Sequence, residues 1–97
     1  MFARLTIIQV RIDKIDEATK LYGESVVPAA KGQKGFKGTN LLVDRKTGKG
    51  IAVTLWETEE DAIANEENRY YQEQVSKFIP YFTAPVIREG YDVAIQA

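Results

Sequence analysis

An α+β fold, with an antiparallel sheet carrying helices on one face in the order β-α-β-β-α-β, follows from three features of this chain. Short runs rich in Ile, Val and Thr alternate with stretches whose apolar residues recur every three or four positions. Glycines and prolines fall at the joints between them. The length of 97 residues supports one core, and hence a single domain over residues 1–97.

The elements take these places. LTIIQVRI, Leu5 to Ile12, is the first strand, ending at the turn residue Asp13. From Asp16, the residues Ala18, Leu21, Tyr22, Ser25, Val26 and Ala29 share one side of a helix, and Pro28 is expected to kink or end its last turn. Gly32, Gly35 and Gly38 form a loop. Phe36 to Asp44 is the second strand, RKTGKG (Arg45 to Gly50) the turn, and Ile51 to Glu57 the third strand, paired with the second as a hairpin. Thr58 is an N-cap, with Glu59, Glu60 and Asp61 in the first helical turn, where the helix dipole favours negative charge. The apolar pattern lapses from Asn65 to Arg69 and resumes at Tyr71, Val75, Phe78, Ile79 and Phe82, which predicts a break and a second helical piece. Pro80 and Pro85 end it, and Pro85 to Ile95 is the last strand, with a bulge expected at Gly90.

The sheet is apolar on both sides. Leu5, Ile7, Ile8 and Val10 in the first strand, and Ile51, Val53 and Leu55 opposite Ala52, Thr54 and Trp56 in the third, depart from the alternation of a sheet with one wet face. Helices from so short a chain cover one face only. The other is expected to pair with a second copy, giving a homodimer through the sheet face.

Chemistry is narrowed mostly by what is missing. With no histidine and no cysteine, the chain lacks the commonest neutral-pH base, thiol nucleophiles and thiolate metal sites. The acidic group Glu57, Glu59, Glu60 and Asp61 reads as a solvated helix start, and no metal is expected. GQKGFKG lacks the spacing of a nucleotide loop. Thirteen basic and 14 acidic residues, for a net charge of -1, give no overall attraction for a polyanion, and the lysines of the loops read as solvated charges. KGFKGTNLLV resembles an RNA-stacking strand, but Gly38 and Asn40 stand where stacking or apolar residues are needed, and it lies one strand too early. No nucleic-acid partner is expected. No apolar run approaches the ~20 residues that span a bilayer, so no membrane is expected either, and the cytoplasm is the default location.

Trp56 is the one tryptophan, at the junction of strand and helix. Its neighbours on the same side of the strand, Ala52 and Thr54, are small, so the ring has room to meet Tyr22, Tyr71 or Phe78. It is either a core plug or a wall of a small aromatic pocket.

VVPAAKGQKGFKG followed by a hairpin and VTLWETEEDA resembles the antibiotic biosynthesis monooxygenase-like (ABM) proteins of the dimeric α/β-barrel superfamily. The resemblance runs from Phe2 to about Ile95. Its most specific parts are Pro28 followed by Gly35-Phe36-x-Gly38, and Trp56 to Glu59. It implies a ferredoxin-like subunit, a homodimer closing a dimeric α/β barrel, and a ligand cavity between sheet and helices. It also implies oxidation of aromatic substrates by O₂ without a cofactor in some members, and haem cleavage in others. The quinone-forming members place a Trp where Trp56 stands, an Asn four residues before and a Tyr six after; here those places hold Ala52 and Ala62. The haem-cleaving members need an axial His on the second helix, which this chain lacks. Two functions follow as expectations. One is a monooxygenase-type enzyme without metal or flavin, whose small aromatic or apolar substrate is held by Trp56, Thr54, Tyr22, Tyr71, Phe78 and Arg88, no catalytic residue being assigned. The other is a non-catalytic ligand-binding or stress-related homodimer.

Overall fold

A computed structural model describes all 97 residues. Four strands, β1 (Phe2–Gln9), β2 (Phe36–Val43), β3 (Lys49–Trp56) and β4 (Ile87–Asp92), form one sheet in the order β2-β3-β1-β4, every neighbour antiparallel. This is the ferredoxin-like arrangement, with all helices on one face.

The strand bounds shift from the sequence pattern for physical reasons. β1 starts at Phe2, because Phe2 pairs with Trp56 on one side and Asp92 on the other, and its ring is buried. It ends at Gln9 rather than Ile12: the Val10 amide makes a last in-register bond to the Gly48 carbonyl at 2.8 Å, and the Arg11 amide turns instead to the Tyr81 carbonyl at 2.9 Å. Residues Ile12–Lys14 form a 3₁₀ turn instead. β3 begins at Lys49, shortening the turn. β4 covers six residues, and its pairing with β1 runs unbroken through Arg4 and Gly90. Gly90 is therefore not a bulge; a side chain there would occupy the space of the Phe2 ring and the Arg4 guanidinium. The irregularity lies in β2, between Phe36 and Gly38.

The first helical segment runs on through Pro28. α1 (Ile15–Leu21) passes into a five-residue π turn, Tyr22–Val26, and then into α2 (Val27–Lys31). The Val27 amide reaches back five residues to the Tyr22 carbonyl, and Pro28 sits in the first turn of α2, directly after this π turn. The second segment breaks at one residue. α3 (Glu59–Glu67) is capped by Thr58, whose hydroxyl accepts from the Asp61 amide at 3.1 Å. Asn68 ends α3 in an extended conformation and caps α4 (Arg69–Ser76), accepting from the Tyr70 amide at 3.1 Å. A 3₁₀ turn at Ile79–Tyr81 carries Pro80. No helix is long and apolar enough to cross a membrane.

Side-chain alternation assigns the faces. Phe2, Arg4, Thr6 and Ile8, with Trp56, Thr54 and Ala52 opposite, point to the helices. There the buried core forms two clusters rather than one: Phe2, Trp56 and Ala62, with Phe36 against them, and Val10, Ala18 and Phe78, with Ile8, Leu21, Tyr22, Val26, Tyr81 and Phe82. The other face presents Leu5, Ile7, Ile51, Val53 and Leu55 partly exposed, and Leu42, Ile87 and Tyr91 more than half exposed. It is as apolar as the sequence predicts, and nothing in the subunit covers it.

Candidate functional site

A cavity of about 110 Å³ separates the two core clusters. That is many times the roughly 10–15 Å³ one water needs, and below the ~300 Å³ at which drug-sized pockets begin. That volume encloses about one ring, and the open side of the cavity leaves space for a second. The floor is the sheet, Thr6, Ile8, Ala52, Thr54 and Trp56; the roof is Tyr22, Val26 and Ala30 from the first helical segment, and Asn65, Tyr70, Tyr71, Gln74, Val75 and Phe78 from the second. Phe82 and Val86 close one side.

Of the six sequence-predicted pocket residues, Trp56, Thr54, Tyr22, Tyr71 and Phe78 line this cavity and Arg88 borders it. Trp56 answers to both readings of it. At 2% exposure it is part of the core, meeting Phe36 edge to face at 6.0 Å, yet the same ring is cavity wall. The two alanines that depart from the family pattern differ in place. Ala52 is on the cavity floor, whereas Ala62 is fully buried against Phe2 and Trp56.

The polar groups fall into three sets. Tyr22 Oη lies 2.7 Å from Thr39 Oγ1, which lies 3.1 Å from Thr54 Oγ1, a chain of hydroxyls crossing the sheet into the cavity floor. Ser25 donates to Gln74 Oε1 at 2.9 Å and accepts from Lys77 Nζ at 2.7 Å, fixing the Gln74 amide in the wall. The third set is Asn65, Tyr70 and Tyr71. Burial pushes the Tyr70 hydroxyl above its ordinary pKa of 10.0, with the neighbouring Tyr22 and Tyr71 adding to it. Burial does the same to Tyr71, against an opposing pull from Arg88. Both tyrosines are thus donors at neutral pH and not bases. Asn65 Oδ1 is buried with no hydrogen-bond partner.

Asn65, Tyr70 and Gln74 were missed by the sequence reading. For Asn65 a signal existed: it lies three residues after Ala62, on the same inner face of α3, so the lapse in the apolar pattern was a polar residue facing inward.

Beside the cavity stands a charged group. Arg4 Nε lies against Glu66 Oε1, off the axis of a hydrogen bond, and Arg88 Nη1 is 3.6 Å from Glu66 Oε2. The Arg88 guanidinium rests over the Tyr71 ring, 5.1 Å from its centre. No three acidic side chains converge to hold a metal ion.

No protein-family model matches the chain. An uncharacterized protein in each of two Mycobacterium tuberculosis strains, CDC 1551 / Oshkosh and H37Rv, is 40% identical to it over 67 residues, 69% of this chain and 30% of the relative, so the match spans under a third of that longer protein. Among solved structures, a Bordetella bronchiseptica protein provisionally named an antibiotic biosynthesis monooxygenase superposes with a TM-score of 0.84 at 14% identity, over 97% of both chains. A Nitrosomonas europaea protein of the same provisional name gives 0.80 at 14% identity, over 98% of this chain and 100% of that one. The fold is that of the ABM proteins. In this chain the cavity lies between sheet and helices, with Trp56 at the end of β3 in its wall.

Proposed function

We propose that this ABM-like chain is a monooxygenase-type enzyme, without metal or flavin, acting on a phenol of one or two rings. The observation that carries the reading is the 110 Å³ cavity, walled by Trp56, Tyr71 and Phe78, whose polar lining consists of hydrogen-bonding groups and no carboxylate or ammonium. Such a site desolvates a planar ring and offers donors to a phenolate oxygen. The reaction is then oxidation of an open ring C–H by O₂: one oxygen atom becomes the second quinone carbonyl, the other leaves as water, and the substrate supplies all the electrons. A naphthol with a free para position gives a naphthoquinone and water. The test is incubation with 1-naphthol and related phenols in air and under argon, following quinone absorbance. Product that depends on both oxygen and protein supports the reading, and none across the panel removes it.

A second reading, a binder without catalysis, is favoured by Ala52 and Ala62, which stand where the quinone-forming relatives carry Asn and Tyr. Binding of the same phenols without oxygen uptake is its signature. In both readings the apolar outer face of the sheet is covered by a second copy of the chain, the usual means of hiding such a patch.

A further inference from the structure

The cavity carries no charge of its own, yet the group at its border is unbalanced: two guanidiniums, Arg4 and Arg88, share one carboxylate, Glu66. Arg4 and Glu66 are both mostly buried, at 19% and 18% side-chain exposure, and meet in direct contact. Arg88 is looser. It stands 3.6 Å from Glu66, and its side chain is 42% exposed. The spare positive charge therefore resides on Arg88. Its position ties it to the cavity twice, since the ring it lies over, Tyr71, is cavity wall, and its partner across the ladder, Thr6, is cavity floor. Resting over Tyr71 and only 3.6 Å from a single Glu66 oxygen, the guanidinium has donors left for a planar anion.

We propose that the phenol bound in this cavity also bears a carboxylate, its ring lying beside Trp56 and its carboxylate on the Arg88 guanidinium. This rests on the cavity being the ligand site. A carboxylate completes the two-to-one charge group, while the desolvated ring gains the apolar wall. An uncharged ring would leave the Arg88 donors to water. The chain's net charge of -1 supplies no general attraction for anions, so any preference for the acid must come from this locality.

The test uses 1-naphthoate and its neutral isostere 1-naphthamide, titrated calorimetrically and by the indole N–H resonance of Trp56, which is unique because the chain has one tryptophan. The expected result is that both move the indole resonance and that the acid binds at least about tenfold tighter, the usual scale for a hydrogen bond to a charged group. Arg88→Gln should bring the acid down to the level of the amide and leave the amide unchanged. Arg88→Lys should restore part of the preference, since charge returns without the planar fork. Equal binding of acid and amide to the native protein, or a preference that survives Arg88→Gln, overturns the carboxylate assignment while leaving the cavity reading standing. An indole resonance that neither compound moves overturns both. An intact, dispersed spectrum of each variant establishes that it folds.

Discussion

Phe36 meets Trp56 edge to face, ring centres 6.0 Å apart and planes at 78°, and this contact joins the two sequence motifs by which the chain resembles its family. The joint has further parts. Gly35 accepts a 2.7 Å hydrogen bond from the Glu57 amide, and its positive φ of 82° brings its backbone beneath the Asp61 side chain, leaving no room for a Cβ. Gly35→Ala is expected to destabilise the fold by roughly 1–3 kcal/mol, through the strained φ and the displaced carboxylate. Urea unfolding measures it. Since Gly35 and Phe36 lie outside the cavity lining, ligand affinity of the folded variant should be unchanged.

That joint also explains which parts of the fold were legible in the sequence. Element order, the Thr58 cap and the hairpin follow from local periodicity and turn chemistry, which a single chain displays. Pro28 does not end its helix, which runs on to Lys31; the irregularity expected near it is the π turn just before it. Gly90 misled because its missing side chain serves Phe2 and Arg4, which are 88 and 86 positions away in sequence. Five cavity residues were legible as aromatic or small residues on inward faces. Asn65 carried a signal in its spacing from Ala62, but a polar residue inside a helix reads as a gap until the cavity it faces is known.

Asn65 sits in the cavity wall with Oδ1 buried and unpartnered, an arrangement that costs stability. Asn65→Leu is expected to raise the stability of the ligand-free protein by about 1 kcal/mol and to weaken ligand binding, the trade-off of a group kept for function. Thermal unfolding with and without ligand checks it. A loss of stability in the leucine variant would mean that the amide has a structural partner.

Thr54 ends the hydroxyl chain from Tyr22 through Thr39. Thr54→Val keeps the shape and removes the last hydroxyl, so it should cost about 1 kcal/mol and leave Tyr22 paired with Thr39. A loss of several kcal/mol in urea unfolding would show that the chain acts as one cooperative unit.

The raised pKa values of Tyr70 and Tyr71 make the fold less stable at alkaline pH. Above the ordinary value of 10.0 the unfolded chain releases these protons before the folded one does, so the folded state binds more protons and stability falls as pH rises. Below that value the contribution is fully present, and these two groups add no slope. Urea midpoints should therefore hold level from about pH 7 to 9 and decline beyond about 10. Tyr71→Phe, which cannot ionise, should make the decline shallower. If the slope is the same in the phenylalanine variant, Tyr71 is not the group responsible.

Val53 lies at the middle of the uncovered face, paired across the sheet with Leu5 and Asn40. In a lone subunit a charge there points to water, so Val53→Glu should cost no more than the ~1 kcal/mol span of strand preference. In a face-to-face pair the same carboxylate would be buried opposite its symmetry mate, which is far more costly. The native chain is expected to sediment at twice its 10.9 kDa and the variant at 10.9 kDa with unchanged circular dichroism. Because the cavity lies on the other side of the sheet, the monomeric variant should still bind an aromatic ligand, separating assembly from the site. A native chain that sediments as a monomer at micromolar concentration would leave that apolar face without its proposed cover.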